Sequence, residues 1–109
     1  MKTDERLLQM LLVDDIIYIE KDNGCTIANT KGNKQKIIEI TLDKLEEQLP
    51  QDKFFRVHKS FIVNLAEVAE IIQDGKTQLA ILKNRKEIPI SKRRNRLLLY
   101  KLREYSIMI

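Results

Sequence analysis

The residues able to do chemistry in this sequence are few and unevenly spread. There is one histidine, His58, and one cysteine, Cys25, in 109 residues. A zinc site built from them would need unusual carboxylate-heavy ligation, and a lone cysteine can form no internal disulfide. No metal and no cofactor is expected, and nothing points to an oxidising compartment. The three glycines, Gly24, Gly32 and Gly75, stand apart, which excludes a phosphate-cradling loop of the Walker or dinucleotide type. His58 and Ser60 lie as close as a base and a nucleophile, but two neighbouring positions do not make a triad. A histidine packed or hydrogen-bonded beside a turn is the simpler reading. No residue is assigned a catalytic role, and an enzyme is not expected.

What remains is cationic. The formal net charge of +4 hides an asymmetry. Residues 1–55 carry 8 Lys/Arg against 11 Asp/Glu, a balance of −3, whereas residues 56–109 carry 12 against 5, a balance of +7. Within 83–103 there are nine basic residues and one acid, Glu87. Such clustering is the electrostatic footprint of a face that meets a polyanion. Ser91, a good N-cap residue, precedes Lys92-Arg93-Arg94-Asn95-Arg96, and Leu98, Leu102 and Tyr105 recur at helical spacing, so a helix is expected over about 92–105. Its first turn sets three cations beside the positive end of the helix dipole, a placement that costs about 0.3–1 kcal/mol each. An anion bound there would offset that cost, since free N–H groups and cationic side chains would converge on it.

The elements that must position these groups read as β-rich. Ile16-Ile17-Tyr18-Ile19 is a strand ending in the turn signal Asp22-Asn23-Gly24, residues 25–30 a second strand, and residues 36–40 a third after the turn Lys31-Gly32-Asn33; together they form an antiparallel meander. Thr41 caps an amphipathic helix with Leu42, Leu45 and Leu49 on one face, and Pro50 marks its stop. Residues 54–57 and 60–63 form short strands around His58-Lys59. Residues 65–70 are expected to make a brief helical turn before Ile71-Ile72-Gln73. Asp74-Gly75-Lys76 is a hairpin turn into residues 77–82, and Asn84-Arg85-Lys86 turns into Ile88-Pro89-Ile90, whose proline suits an edge strand. The Leu7–Val13 run is compatible with a strand or a short helix and is far below the ~20 residues that span a bilayer. Asp4 and Glu5 occupy the place of a basic signal-peptide region, so a soluble cytoplasmic protein is expected. The whole of 1–109 reads as one domain of small antiparallel sheets with a mid-chain and a C-terminal helix, residues 1–5 being a linker or tag remnant or a native start.

The run Phe54-Phe55-Arg56-Val57-His58-Lys59-Ser60-Phe61-Ile62-Val63-Asn64, followed about two dozen residues later by Ile88-Pro89-Ile90-Ser91-Lys92-Arg93-Arg94, resembles the LytTR family of DNA-binding domains. Residues 15–20 before a turn and the helix from Leu42 to Leu49 support the resemblance, which covers roughly 6–103. It implies small antiparallel sheets with a helix at the side, and sequence-specific binding of double-stranded DNA by loops that enter successive major grooves. It further implies the output half of a two-component response regulator that binds direct repeats as a dimer. Carried over by position, Lys59 and Arg93 are implied base contacts, and the turn Asn23 to Thr26 supplies a third, with Asn23, Cys25 and Thr26 as its candidates. His58, Ser60, Asn64 and Ser91 are implied to be loop scaffold, His58 fixing the loop that aims Lys59.

Chemistry agrees with that mapping. Arg and Lys donate to guanine O6 and N7 in the major groove, and a good bidentate pair discriminates by about 1–3 kcal/mol. Lys83, Arg85, Lys86, Lys92, Arg94 and Arg96 suit phosphate contacts that set register without reading sequence. A chain of 109 residues leaves no room for a receiver domain of ~120 residues, so a receiver in cis or an upstream kinase is expected only if the sequence is a fragment. The alternative is a basic module that meets an acidic protein or a membrane surface without sequence-specific DNA binding.

Overall fold

A computed structural model describes residues 13–108. The apolar run from Leu7 to Leu12 lies outside them. Eight strands and two helices follow one another: β1 (Ile16–Asp22), β2 (Cys25–Thr30), β3 (Lys34–Ile38), α1 (Leu42–Gln48), β4 (Phe54–His58), β5 (Phe61–Asn64), β6 (Val68–Asp74), β7 (Thr77–Leu82), β8 (Glu87–Ile90) and α2 (Lys92–Met108), with single 3₁₀ turns at Val13–Asp15 and Leu65–Glu67. All pairing is antiparallel, in a five-stranded sheet of order β3-β2-β1-β5-β4 and a three-stranded sheet of order β6-β7-β8. The meander is thus extended by β5 and β4, which arrive from beyond α1.

The larger sheet is the middle of three layers and separates two cores. One face packs Ile19, Ala28, Phe54 and Ile62 against Leu42, Leu45 and Leu49 of α1. The other packs Tyr18, Phe55, Val57 and Val63 against Ala80, Leu82, Ile88 and Ile90 of the smaller sheet and Leu98 of α2. A register shift between Ile16 and Tyr18 explains how Ile17 and Tyr18, adjacent in sequence, both enter the second core; simple alternation would send one of them away. Burial and the neighbouring Glu20 carboxylate push the Tyr18 phenol up to about 12.

Local chemistry accounts for most boundaries. Asn23 and Gly24 occupy the two centre positions of the β1–β2 hairpin with φ of 52° and 77°, the left-handed pair that a type I′ turn demands. Thr41 Oγ1 accepts from the Lys44 N–H at 3.3 Å and starts α1. Pro89, which can donate no ladder hydrogen bond, sits in β8 at the edge of its sheet. At the outer edge of the larger sheet, β3 is exposed from Lys34 to Ile37, the last 72% accessible. Several expected boundaries move: β3 begins at Lys34 and ends at Ile38, the helical turn expected over residues 65–70 stops at Glu67 because residues 68–70 already pair as strand β6, and α2 runs on to Met108. On α2, Leu98 is fully buried while Leu102 and Tyr105 pack half-buried on the same core.

Candidate nucleic-acid interface

Sheet register collects the candidate readers at one end of the molecule. In the β1–β5 pairing Glu20 opposes Phe61, and the Lys21 N–H donates to the Ser60 carbonyl at 2.9 Å. The Asn23–Gly24 turn and the Lys59–Ser60 turn therefore lie side by side. The start of α2 is brought to the same end by the Ser91 N–H, which donates to the Val57 carbonyl at 2.9 Å. Val57 is the extra residue of a bulge, because Arg56 opposes Ile62 and His58 opposes Phe61. Lys59 and Arg93 each lie two residues beyond that hydrogen-bonded pair, so chain geometry holds their Cα atoms within about 20 Å of one another. Both are exposed, and neither forms an ion pair among the described residues.

The Lys59 turn is held from within. His58 Nδ1 accepts from the Ser60 N–H at 3.1 Å, and the imidazole lies 5.7 Å from the Phe61 ring. That bond makes the neutral ring with its proton on Nε2 the form the turn uses. Burial, with the nearby charges of Lys59, Arg56 and Arg94, holds the His58 pKa below the usual histidine value. The Arg56 side chain is 9% exposed and spans the turn: Nε donates to the His58 carbonyl at 3.1 Å, Nη2 to the Lys59 carbonyl, and Nη1 to Asp43 Oδ1 at 2.6 Å and Glu46 Oε1 at 3.1 Å. Hydrogen bonding and charge from Arg56 hold the Asp43 carboxyl below the usual carboxylate range. Arg56 was absent from the expected site. Its signals in the sequence are its place in the run that carries the resemblance and its being a lone charge in the otherwise apolar stretch Phe54 to Val57.

Other expected contacts are distributed differently. Asn23 and Cys25 are exposed at the same end as Lys59 and Arg93, but Thr26 is 7% exposed and faces the interior, because alternation along β2 turns it inward; it is not available to a base. Lys92 and Arg96 are exposed on α2. Arg94 is engaged with the protein: Nη1 donates to the Arg56 carbonyl at 3.0 Å and lies 3.9 Å from Glu46. Ser91 does not cap α2 with its side chain, since its hydroxyl is buried without a partner among the described residues while its carbonyl accepts from the Arg94 N–H at 3.0 Å. Asn64 works at the far end of the sheet, donating to the Ile16 carbonyl at 2.9 Å and accepting from the Ala66 N–H at 3.0 Å.

Lys83, Arg85 and Lys86 form a second cluster, away from the readers. β8 runs from this turn toward Ser91, and the Lys83 N–H donates to the Glu67 carbonyl at 2.8 Å, beside the end of β5 that is remote from Lys59. Lys86 Nζ sits 5.8 Å from the centre of the Tyr18 ring. Arg85 has φ of 74°, a left-handed conformation that costs a side-chain-bearing residue about 1–2 kcal/mol. Conversely, the β6–β7 hairpin puts Lys76 beside the start of α2, where it shares a cleft with Gln73, Gln78, Lys92 and Asn95. The sequence marked that segment as a turn but gave no reason to count its lysine as a contact. Among the described residues no group of three or more His, Cys, Asp or Glu side chains is placed to hold a metal ion, and no helix is long and apolar enough to cross a membrane.

The chain is similar to known proteins in sequence and in fold. The sensory transduction protein LytT of Bacillus cereus is 32% identical over 89 residues, covering 81% of this chain and 36% of LytT. The transcriptional regulatory protein BtsR of Salmonella typhi is 30% identical over 93 residues, covering 84% of this chain and 37% of BtsR. The chain thus spans little more than a third of the length of these relatives. A solved LytTr DNA-binding domain of a Bacillus cereus response regulator superposes with a TM-score of 0.74 at 27% identity, covering 82% of each chain. The family described as the LytTr DNA-binding domain matches residues 7–103, and the chain belongs to it.

Proposed function

We propose that this domain binds double-stranded DNA sequence-specifically in the cytoplasm, as the output part of a response regulator. Lys59 and Arg93 read base edges in the major groove, Asn23 and Cys25 flank them, and Lys76, Lys92 and Arg96 neutralise phosphates. One observation carries this reading. The hydrogen bond from Ser91 to Val57 sets two unpaired cations, one on a β-turn and one on a helix start, at the same end of the fold. Donors fixed on separate rigid elements can read separate base pairs, which a diffuse basic surface does not do. Asp43 and Glu46 are paired with Arg56, and Glu46 also with Arg94, so their charges are largely offset there.

Two copies are expected to occupy direct repeats. The test is selection of bound duplexes from a random pool, followed by titration of the selected sequence against a scrambled one. Enrichment of spaced direct repeats and a stoichiometry of two chains per duplex are the expected results. Equal affinity for every duplex, together with salt-sensitive binding to anionic vesicles, would replace this reading with that of a basic surface module.

A further inference from the structure

We propose that Arg56, Asp43 and Glu46 form a relay that sets the conformation of the Lys59–Ser60 turn and thereby determines base preference, a role that rests on the duplex-reading function above. Apart from the Ser60 N–H bond to His58 Nδ1, little in the turn's own backbone specifies its conformation. Two-residue hairpins favour left-handed centre positions that match strand twist, as Asn23 and Gly24 supply between β1 and β2. Neither Lys59 nor Ser60 has a positive φ, and the strand leading into them is bulged at Val57. What the backbone lacks, Arg56 supplies: one side of its guanidinium fork takes the carbonyls of His58 and Lys59, and the other takes the two carboxylates of α1.

A guanidinium this buried is stable only while its donors stay paired. The acids therefore fix where the fork sits, and the fork fixes where the Lys59 carbonyl sits. Arg56 also touches the second reading element, because its own carbonyl accepts from Arg94 near the start of α2. The exposed carboxylate of Asp43 and the half-buried one of Glu46 thus act on specificity without contacting a base.

Charge alone makes a different forecast. Removing an acid near a DNA-binding end should tighten binding to every duplex, since one repulsive charge is lost. The relay instead requires the ratio of operator to scrambled affinity to fall. Asp43→Asn, Glu46→Gln and Arg56→Lys, the last keeping charge and losing the fork, are titrated on both duplexes, alone and in a Lys59→Ala background. Hydrogen exchange of the Lys59, Ser60 and Phe61 amides is followed in parallel.

The expected result is a ratio lowered by about five- to twenty-fold, within the range of a single bidentate contact. Scrambled affinity should be unchanged or higher for the two acid variants, and exchange at the turn faster. In the Lys59→Ala background the same substitutions should change the ratio by less than about two-fold, because the group they position is gone. Asp43, at the surface, can be neutralised without threatening the fold. An unchanged ratio in Asp43→Asn and Glu46→Gln, or effects that add in full to Lys59→Ala, would overturn the relay while leaving the reading role of Lys59 intact. Should Lys59→Ala itself leave the ratio unchanged, the base-reading assignment fails first, and the relay with it.

Discussion

On the proposed function Arg93 and Arg94 are neighbours with opposite duties, and replacing each by alanine should separate reading from scaffolding. Arg93 is exposed at the start of α2 and has no ion pair or side-chain hydrogen bond among the described residues, so nothing in the fold depends on it. Arg93→Ala should leave the Tm within about 3 °C of the parent. Its operator affinity should fall by about 1–3 kcal/mol, roughly five- to 150-fold, with preference relaxed at one base position. On a scrambled duplex only about one counterion's worth of salt slope should go. Arg94→Ala removes a charged donor from the Arg56 carbonyl at 3.0 Å and a longer approach to Glu46 at 3.9 Å. The first is worth about 1.5–3 kcal/mol and the second under about 1 kcal/mol. A loss near 2 kcal/mol in a domain of this size lowers Tm by about 10 °C. Fluorescence anisotropy at several salt concentrations, with thermal melts of the same samples, measures all four quantities. Equal losses by Arg93→Ala on operator and scrambled DNA would refute base reading, and an unshifted Tm in Arg94→Ala would refute the division of labour.

Leu98 is the fully buried anchor of α2, and Leu98→Ala should cost about 2–5 kcal/mol and lower Tm by at least about 10 °C in a thermal melt; a drop below about 4 °C would mean that the helix is loosely docked. His58 has a folded pKa depressed below its unfolded value near 6.5, so the unfolded chain takes up the proton first. Stability should therefore decline as pH falls from about 7 through 6.5 toward the lowered folded value, and denaturant melts of His58→Gln should show a flatter profile over that window. Arg96→Gln should reduce the salt slope by about one on a minimal operator duplex, whereas Lys86→Gln, remote from the readers, should leave it unchanged. A matching decrease for Lys86→Gln would show that the duplex wraps to the far end.

Much of this architecture was legible because its signals are local. Asn23-Gly24 announces a hairpin, Thr41 a helix start, Pro89 an edge strand, and the 98/102/105 spacing a packed helix face. The positions that escaped depend on residues far apart in the chain. Whether Thr26 faces in or out follows from which face of the sheet meets α1. Ser91 looks like a cap by type, but its backbone is committed to Val57, thirty-four positions earlier, and its hydroxyl is not used. The cations at 83–86 and 92–96 form one run by composition, yet an intervening extended strand carries them to opposite ends of the domain. Arg56 escaped because a buried arginine looks like an interruption until the carbonyls of one turn and the acids of another element are both seen to close on it.

The margin of β3, which pairs on one side only among the described residues, has a consequence for behaviour at high concentration. A strand with one side unpaired invites another extended segment to zip onto it, and Ile37 offers a greasy foothold for doing so. Lys34 and Lys36 project from that same strand, so two copies meeting margin to margin would oppose like charges. Self-association along this border is thereby discouraged without any loss of folding, and exchanging both lysines for valine would be expected to turn a well-behaved solution into one that forms fibrils.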